Sequence, residues 1–313
     1  MRDDAKGAAT PAVYGAVEGG GTRFACAVGT SPTDILDSTS FSTTDPAGTL
    51  AGCIAFFRQA QDRHGALSAL GVACFGPLGL RRGSPDHGRV LDTPKRGWSG
   101  ASILDTLATG LGVPVVLDTD VGAAALGEWR LGAGRGLGSL AYVTVGTGIG
   151  GAMAPLVTDV GRLMHAEMGH LPVRRDPRDV DFAGVCPFHG DCLEGLASGP
   201  SVRARWGCDL EALPAGHEGR WIIAGYLGKL AASIALMLSP ERIAFGGGVM
   251  TDEAMLPLVR AATHDCLHGY LLPLKRRESL DQYVVAPALG ARSAITGALL
   301  MAQDLLSGGL VGA

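Results

Sequence analysis

Short apolar runs that close on glycine clusters alternate along this chain with longer stretches whose apolar residues recur at helical spacing. Runs at 13–17 and 140–145 lead into Glu18-Gly-Gly-Gly21-Thr22-Arg23 and Gly146-Thr-Gly-Ile-Gly-Gly151, and second apolar runs follow at 24–28 and 152–157. Apolar segments broken by glycine predict strand, hairpin, strand in both places. Further strands are expected at 69–74, 114–117 and 242–245. Helices are expected at about 50–64, 102–111, 122–131, 219–238, 255–268 and 291–306. Strands alternating with helices make the class α/β. The two matching hairpins suggest a weak internal duplication, with two similarly built lobes each offering a loop to a shared cleft. The lobe boundary is expected near 120–127. That gives a disordered leader at 1–11, an N-terminal lobe at 12–122 and a C-terminal lobe at 123–290, with a last helix at about 291–313 crossing back to the first lobe.

Composition narrows this picture. The 313 residues are 47% apolar and only 18% charged, and mean hydropathy is +0.24, as in a chain with a large buried core. A net charge of −4 without a basic block argues against nucleic-acid or membrane-surface partners. The 48 glycines sit in separate clusters, which marks turns and close approaches to ligands. Five of the seven cysteines are scattered (Cys26, Cys53, Cys74, Cys208, Cys266), which fits a reducing, cytoplasmic compartment better than a disulfide framework. The N-terminus lacks a signal-peptide core. The apolar stretch 221–239 contains Gly225, Gly228 and Lys229 and stops at Pro240, which suits a buried helix better than a membrane span.

The densest chemistry lies in Cys186-Pro-Phe-His189-Gly-Asp-Cys192-Leu-Glu194, with Glu167-Met-Gly-His170 just upstream. Two thiols and two imidazoles in reach of one point describe a closed tetrahedral zinc site formed by His170, Cys186, His189 and Cys192. The same residues also read as ordinary loop thiols, or as a disulfide beside unrelated histidines. With all four positions taken by protein, the zinc is structural and fixes a loop, 165–194, that carries Glu167 and Glu194.

There is no G-x4-G-K-[ST] sequence, which excludes a P-loop. Glycine hairpins still suit polyphosphate, because consecutive backbone N–H groups approach anionic oxygens with no Cβ in the way. Gly20, Gly21, Thr22 and Arg23 form one such loop, and Gly146, Thr147 and Gly148 the other. Gly146, Gly148 and Gly151 also satisfy G-x-G-x-x-G, but that dinucleotide reading needs a helix where Pro155 stands. Gly246, Gly247, Gly248, Val249 and Met250 follow a strand and suit either an adenosine edge or a tight connection. Asp118-Thr119-Asp120 ends a strand and precedes a helix, a place that suits a carboxylate facing a ligand and equally an N-cap without function; two Asp residues allow both.

Together these motifs resemble the ROK family of sugar kinases and repressors, and its bacterial fructokinase branch in particular. The resemblance runs through Glu18-Gly-Gly-Gly-Thr-Arg-Phe, Thr93-Pro-Lys-Arg-Gly-Trp98, Asp118-Thr-Asp-Val-Gly-Ala-Ala-Ala-Leu-Gly-Glu128, Val145-Gly-Thr-Gly-Ile-Gly150, His165-Ala-Glu-Met-Gly-His170, the 186–194 run, Ala197-Ser-Gly-Pro200 and Phe245-Gly-Gly-Gly-Val249. It implies a two-lobed actin-like ATPase (ribonuclease H-like) fold that transfers phosphate from ATP with Mg2+ to a hexose, fructose above all. Mannose, glucose or an N-acetylhexosamine are the alternative acceptors. By the same resemblance Asp120 is the general base. Glu167, His170, Glu194, Thr93 and Lys95 face the sugar, the two hairpins meet the phosphates, and Pro200 with 246–250 lies near the adenosine. The chain departs from the family's usual residues at Glu18 (Asp), Arg23 (Lys) and Thr119 (Asn). A sugar-sensing repressor of the family needs a helix-turn-helix domain ahead of the first strand, for which the residues before Val13 leave no room. A homodimer is the expected assembly.

Overall fold

Each of the two glycine clusters turns a hairpin within its own sheet in a computed structural model, which describes residues 11–155 and 164–308. Most of the expected leader and the last few residues lie outside the described residues. The chain divides into two units, 1–120 with 298–313, and 121–297.

In the first unit, β1 (Val13–Gly19), β2 (Arg23–Ser31) and β3 (Asp34–Ser42) form an antiparallel meander. Helix α1 (Pro46–His64), β4 (Leu67–Cys74), α2 (Ile103–Leu111) and β5 (Val115–Thr119) follow, and the strand order is β3-β2-β1-β4-β5. Strands β1, β4 and β5 run parallel, and β4 is a nearly continuous buried run, as a central parallel strand requires. Asp45 opens α1 by accepting from Gly48 N at 3.0 Å, with Pro46 preset in the first turn. The parallel register aligns Glu18 with Ala73 and Ala73 with Asp118. Glu18, Asp118 and Asp120 are thereby gathered at the carboxyl ends of the parallel strands, the edge where open α/β sheets bind ligands.

Helix α3 (Asp120–Leu131) leads into the second unit. There β6 (Leu140–Val145) and β7 (Ile149–Ala154) make the second hairpin. Helices α4 (Leu193–Ala197), α5 (Gly199–Trp206) and α6 (Gly219–Met237) precede β8 (Ile243–Gly246), and α7 (Met255–Leu267), α8 (Leu280–Tyr283), β9 (Val284–Val285) and α9 (Ser293–Ser307) complete the chain. The order β7-β6-β8-β9, one antiparallel pair and two parallel ones, repeats the order β2-β1-β4-β5 of the first sheet. Helix α6 is long and apolar enough to cross a membrane by length and composition, and 67% of its apolar window is buried inside the structure.

A fully buried carboxylate, Glu128, fixes α3 to the turn that starts α9. One oxygen accepts from Ala133 N (2.8 Å) and Ala288 N (2.9 Å), the other from Leu289 N (2.8 Å) and Ser293 Oγ (2.6 Å). The charge is tolerated because four donors replace water.

One expected strand is displaced. The second arm of the second hairpin, read at 152–157, is Ile149–Ala154, and 156–157 lie outside the described residues. Gly150 and Gly151 belong to the strand and not to the turn. Added Cβ atoms there would meet the Val121 side chain at 3.0 Å and Met168 Sδ at 2.7 Å. These glycines make room for neighbours.

Candidate active site

The turn between β1 and β2 is propped from outside. Gly20 N donates to Arg23 O at 2.9 Å, Thr43 Oγ1 donates to Gly20 O at 2.7 Å, and Thr43 N donates to Thr22 O at 2.9 Å. Gly21, Thr22 and Arg23 are exposed, and Gly21 has open space where a Cβ would stand. Lys95 Nζ donates to Gly21 O, and Thr93 sits two residues before it, its N–H donating to Ser99 Oγ at 3.1 Å. Trp98 anchors this loop. It is fully buried, packs on Phe24 and Phe75 with centroids 5.5 and 5.1 Å away, and donates Nε1–H to Thr44 O.

Asp120 begins α3, half-buried at the strand ends. Asp118 turns inward, its Oδ1 accepting from Thr119 N at 2.6 Å. Burial, and secondarily the charge of Asp120, raise the Glu18 carboxyl above its ordinary value, with Arg23 opposing. Glu18, Asp120 and Arg23 therefore sense one another, which the motifs at the ends of β1 and β5 did not foretell. The Cys74 thiol beneath them is pushed well up, by burial first and by Asp120 second.

In the second unit the turn at 146–148 is closed by Gly146 N donating to Gly148 O at 2.8 Å. Gly199 N, at the start of α5, donates to Gly146 O at 2.8 Å. Beside them opens a cavity of about 450 Å³ edged by Gly146, Thr147, Gly199, Arg203, Glu211 and Gly248. That size suits a small-molecule ligand. Val249 also lines it, and Pro200 stands in the first turn of α5. The other expected nucleotide residues back this wall. Gly148 lies against Glu194, Gly246 against Tyr142 and Pro287, and Met250 against the apolar core. Gly247 has φ +91°, and a Cβ there would come within 2.5 Å of Val145 N and O. Sequence reasoning missed Gly199, Arg203 and Glu211; Gly199 stood in a quoted motif beside Pro200, while the two charged residues carried no signal.

His170, Cys186, His189 and Cys192 converge, with their four ligand atoms within 4.8 Å of one another. Cys186 Sγ is 3.7 Å from both His170 Nδ1 and His189 Nδ1, and Cys192 Sγ is 3.6 Å from His170 Nδ1. A tetrahedral ion with metal–sulfur and metal–nitrogen bonds of usual length separates such atoms by about 3.6 Å. The residues therefore fit a zinc ion, and all seven cysteines are free thiols, so the disulfide reading fails. Cys186 and Gly190 exchange backbone hydrogen bonds of 3.1 and 2.9 Å, which folds the 186–190 segment into a knuckle. Burial pushes the Cys192 thiol up to about 11, so a metal must displace its proton. The excursion between His170 and Cys186 is held by a buried pair, Arg205 to Asp179 at 2.8 and 2.7 Å, with Tyr226 OH donating to Asp179 at 2.8 Å.

Both acidic candidates flank this cluster. Glu167 is exposed three residues before His170, with His165 Nδ1 3.5 Å from its carboxylate. Glu194 is half-buried two residues after Cys192, its Oε2 accepting from Ile149 N at 2.9 Å. Thr93, Lys95 and Asp120 belong to the first unit, while Glu167, His170 and Glu194 belong to the second.

Comparison with known proteins places these features. A fructokinase of Zymomonas mobilis subsp. mobilis is 40% identical over 306 residues, covering 96% of this chain and 98% of the relative. A fructokinase of Streptococcus mutans serotype c is 36% identical over 296 residues, covering 94% and 98%. The crystal structure of a ROK family glucokinase from Streptomyces griseus, in complex with glucose and AMPPNP, matches with a TM-score of 0.72 at 25% identity, covering 93% of this chain and 99% of the other. The family model described as the ROK family matches residues 14–305, nearly everything the two sheets and the histidine–cysteine loop comprise, and the chain belongs to the ROK family.

Proposed function

We propose that the chain is a sugar kinase that transfers the γ-phosphoryl group of ATP to D-fructose, forming fructose 6-phosphate. The observation that carries this reading is the identity of 36–40% with fructokinases over nearly the full length of both chains. Two glycine-turned hairpins at strand ends, a cavity beside one of them and a carboxylate at Asp120 support phosphoryl transfer as the chemistry.

In this reading the turns at 20–23 and 146–148 meet the phosphates. Gly20 and Gly146 use their own N–H groups to close the turns. Gly21 and Gly148 let the backbone approach with no Cβ in the way, and Thr22, Thr147 and Arg23 add hydroxyls and a cation. The cavity beside Gly248 and Val249 takes the adenosine, with Pro200, Gly246, Gly247 and Met250 shaping its wall. That the glucokinase neighbour was solved in complex with AMPPNP supports a nucleotide as a ligand. A primary hydroxyl is a poor nucleophile. Asp120 accepts its proton as the oxygen attacks the γ-phosphorus in line and the bond to the bridging oxygen breaks, releasing ADP. Mg2+ arriving with ATP offsets phosphate charge.

Thr93, Lys95, Glu167, His170 and Glu194 orient the sugar hydroxyls. A zinc ion on His170, Cys186, His189 and Cys192 has no position left for substrate, so it supplies rigidity and not Lewis acidity. We read residues 12–122 with the returning helix, and 123–290 with the zinc loop, as the lobes of an actin-like ATPase fold. A cytoplasmic homodimer belongs to the same reading. Incubation with ATP, Mg2+ and D-fructose, followed by NMR of the product, tests it. Phosphate at O6 is the expected result, and phosphate at another position or no product contradicts it.

A further inference from the structure

We infer that Glu194 is a positioning residue that ties the histidine–cysteine cluster to the hairpin turn at 146–148, so that metal and nucleotide favour each other's binding. The inference rests on the nucleotide reading of that hairpin. Its basis is the crowding around Ile149, the first residue after the turn. The Ile149 N–H donates to Glu194 Oε2 at 2.9 Å. The Ile149 carbonyl lies against Gly169, where an added Cβ would come within 2.0 Å of the oxygen. Gly169 precedes the ligand His170, and Glu194 follows the ligand Cys192 by two residues. Segments bearing two ligands of the cluster therefore hold one residue of the hairpin on both of its peptides.

The path from Cys192 has no slack. Cys192 O accepts from Leu196 N at 3.0 Å, and Glu194 O accepts from Ser198 N at 3.1 Å. Leu193, Leu196 and Ala197 are fully buried. Gly199, two residues past Ala197, donates its N–H to Gly146 O at 2.8 Å, so one short segment meets the hairpin on both sides of its turn. Leu193 N donates to Leu171 O at 2.9 Å, which joins the two ligand-bearing strands of chain. A metal on the cluster fixes the start of this segment, and Glu194 then holds the hairpin amides in one arrangement. A nucleotide on those amides stabilises that arrangement in turn, because coupling between two sites is reciprocal. A charge-assisted hydrogen bond to a backbone N–H is the kind of contact that transmits such a constraint.

The experiment follows zinc release from the zinc-loaded full chain into a chromogenic chelator, with and without Mg2+–AMPPNP and without sugar, while calorimetry measures AMPPNP affinity. In the wild type AMPPNP should slow release about fivefold or more. Glu194→Ala, still loaded with zinc, should lose the slowing and bind AMPPNP more weakly, whereas Glu194→Gln, which keeps an oxygen for Ile149 N, should retain both. Should Glu194→Ala not fold, Glu194→Asp serves, since its carboxylate stands one methylene short of the Ile149 N–H that Glu194 reaches. Slowing that persists undiminished in the Ala variant overturns the inference. AMPPNP binding without slowing in the wild type overturns the link alone; no AMPPNP binding at all overturns the kinase reading together with the link.

Discussion

In the proposed reading, Asp120 is the residue on which the chemistry turns. It stands at the end of the parallel strands, opens α3, and raises the proton affinity of both Glu18 and Cys74. Asp120→Asn keeps the size and a polar end but cannot take a proton, so kcat should fall by at least ~10²-fold while sugar binding stays within a few-fold. Steady-state kinetics with calorimetric binding reads both, and a variant retaining more than half of wild-type turnover (~50%) contradicts the base assignment. Glu18 yields a pH prediction. Its carboxyl is raised in the folded protein, by burial first and then by Asp120, so the folded state binds more protons than the unfolded chain. Stability is therefore lost as pH rises from the ordinary carboxylate range through the raised value. Glu18→Gln should melt higher than wild type at neutral pH and equally below about pH 4, as differential scanning calorimetry across pH would record. The mutual influence of Glu18 and Asp120 was not legible in the sequence. It arises from parallel register across Ala73, which pairs residues about fifty and a hundred positions apart.

At the scale of elements, the histidine–cysteine loop was the most legible part of the chain. Its ligand types and spacing sit within 23 consecutive residues, so little tertiary information was needed to gather them. Chelator-washed protein should hold about one zinc per chain by elemental analysis, and Cys186→Ser should lose it along with thermal stability. Cys266→Ser, at an exposed thiol, should change neither. Full activity and an unchanged melting temperature in metal-free protein would refute the structural role. Helix α3 carries a second prediction. Glu128→Ala leaves three backbone N–H groups without their acceptor, which should cost at least ~3 kcal/mol in urea unfolding followed by circular dichroism. Other elements were hidden for physical reasons. Strand β3 is an edge strand of largely exposed, polar residues, so it lacks an apolar signal. Helices α4 and α5 are short and interrupted by glycine and proline. The second hairpin was read too long because its strand glycines, which accommodate Val121 and Met168, look the same in sequence as turn glycines.

Across the whole molecule, the hairpin motifs at 18–23 and 146–151 anticipated two sheets, and the shared order β2-β1-β4-β5 and β7-β6-β8-β9 gives that echo a topological form. The cavity residues Arg203 and Glu211 were not foreseen, because a lone arginine and glutamate on polar segments acquire meaning only when α5 and the chain beyond it bring them beside Gly146. In the proposed reading, a hexose that leaves Glu167 or Glu194 without a hydroxyl forfeits ~1–3 kcal/mol per lost contact, which limits discrimination to roughly tens- to a hundredfold per contact and makes slow turnover of mannose compatible with the assignment. The central claim is tested most directly by ADP release in a coupled assay over a panel of hexoses, with ATP and Mg2+ saturating. The account predicts that kcat/KM for fructose exceeds that for glucose by about tenfold or more. A larger value for glucose or an N-acetylhexosamine would contradict it.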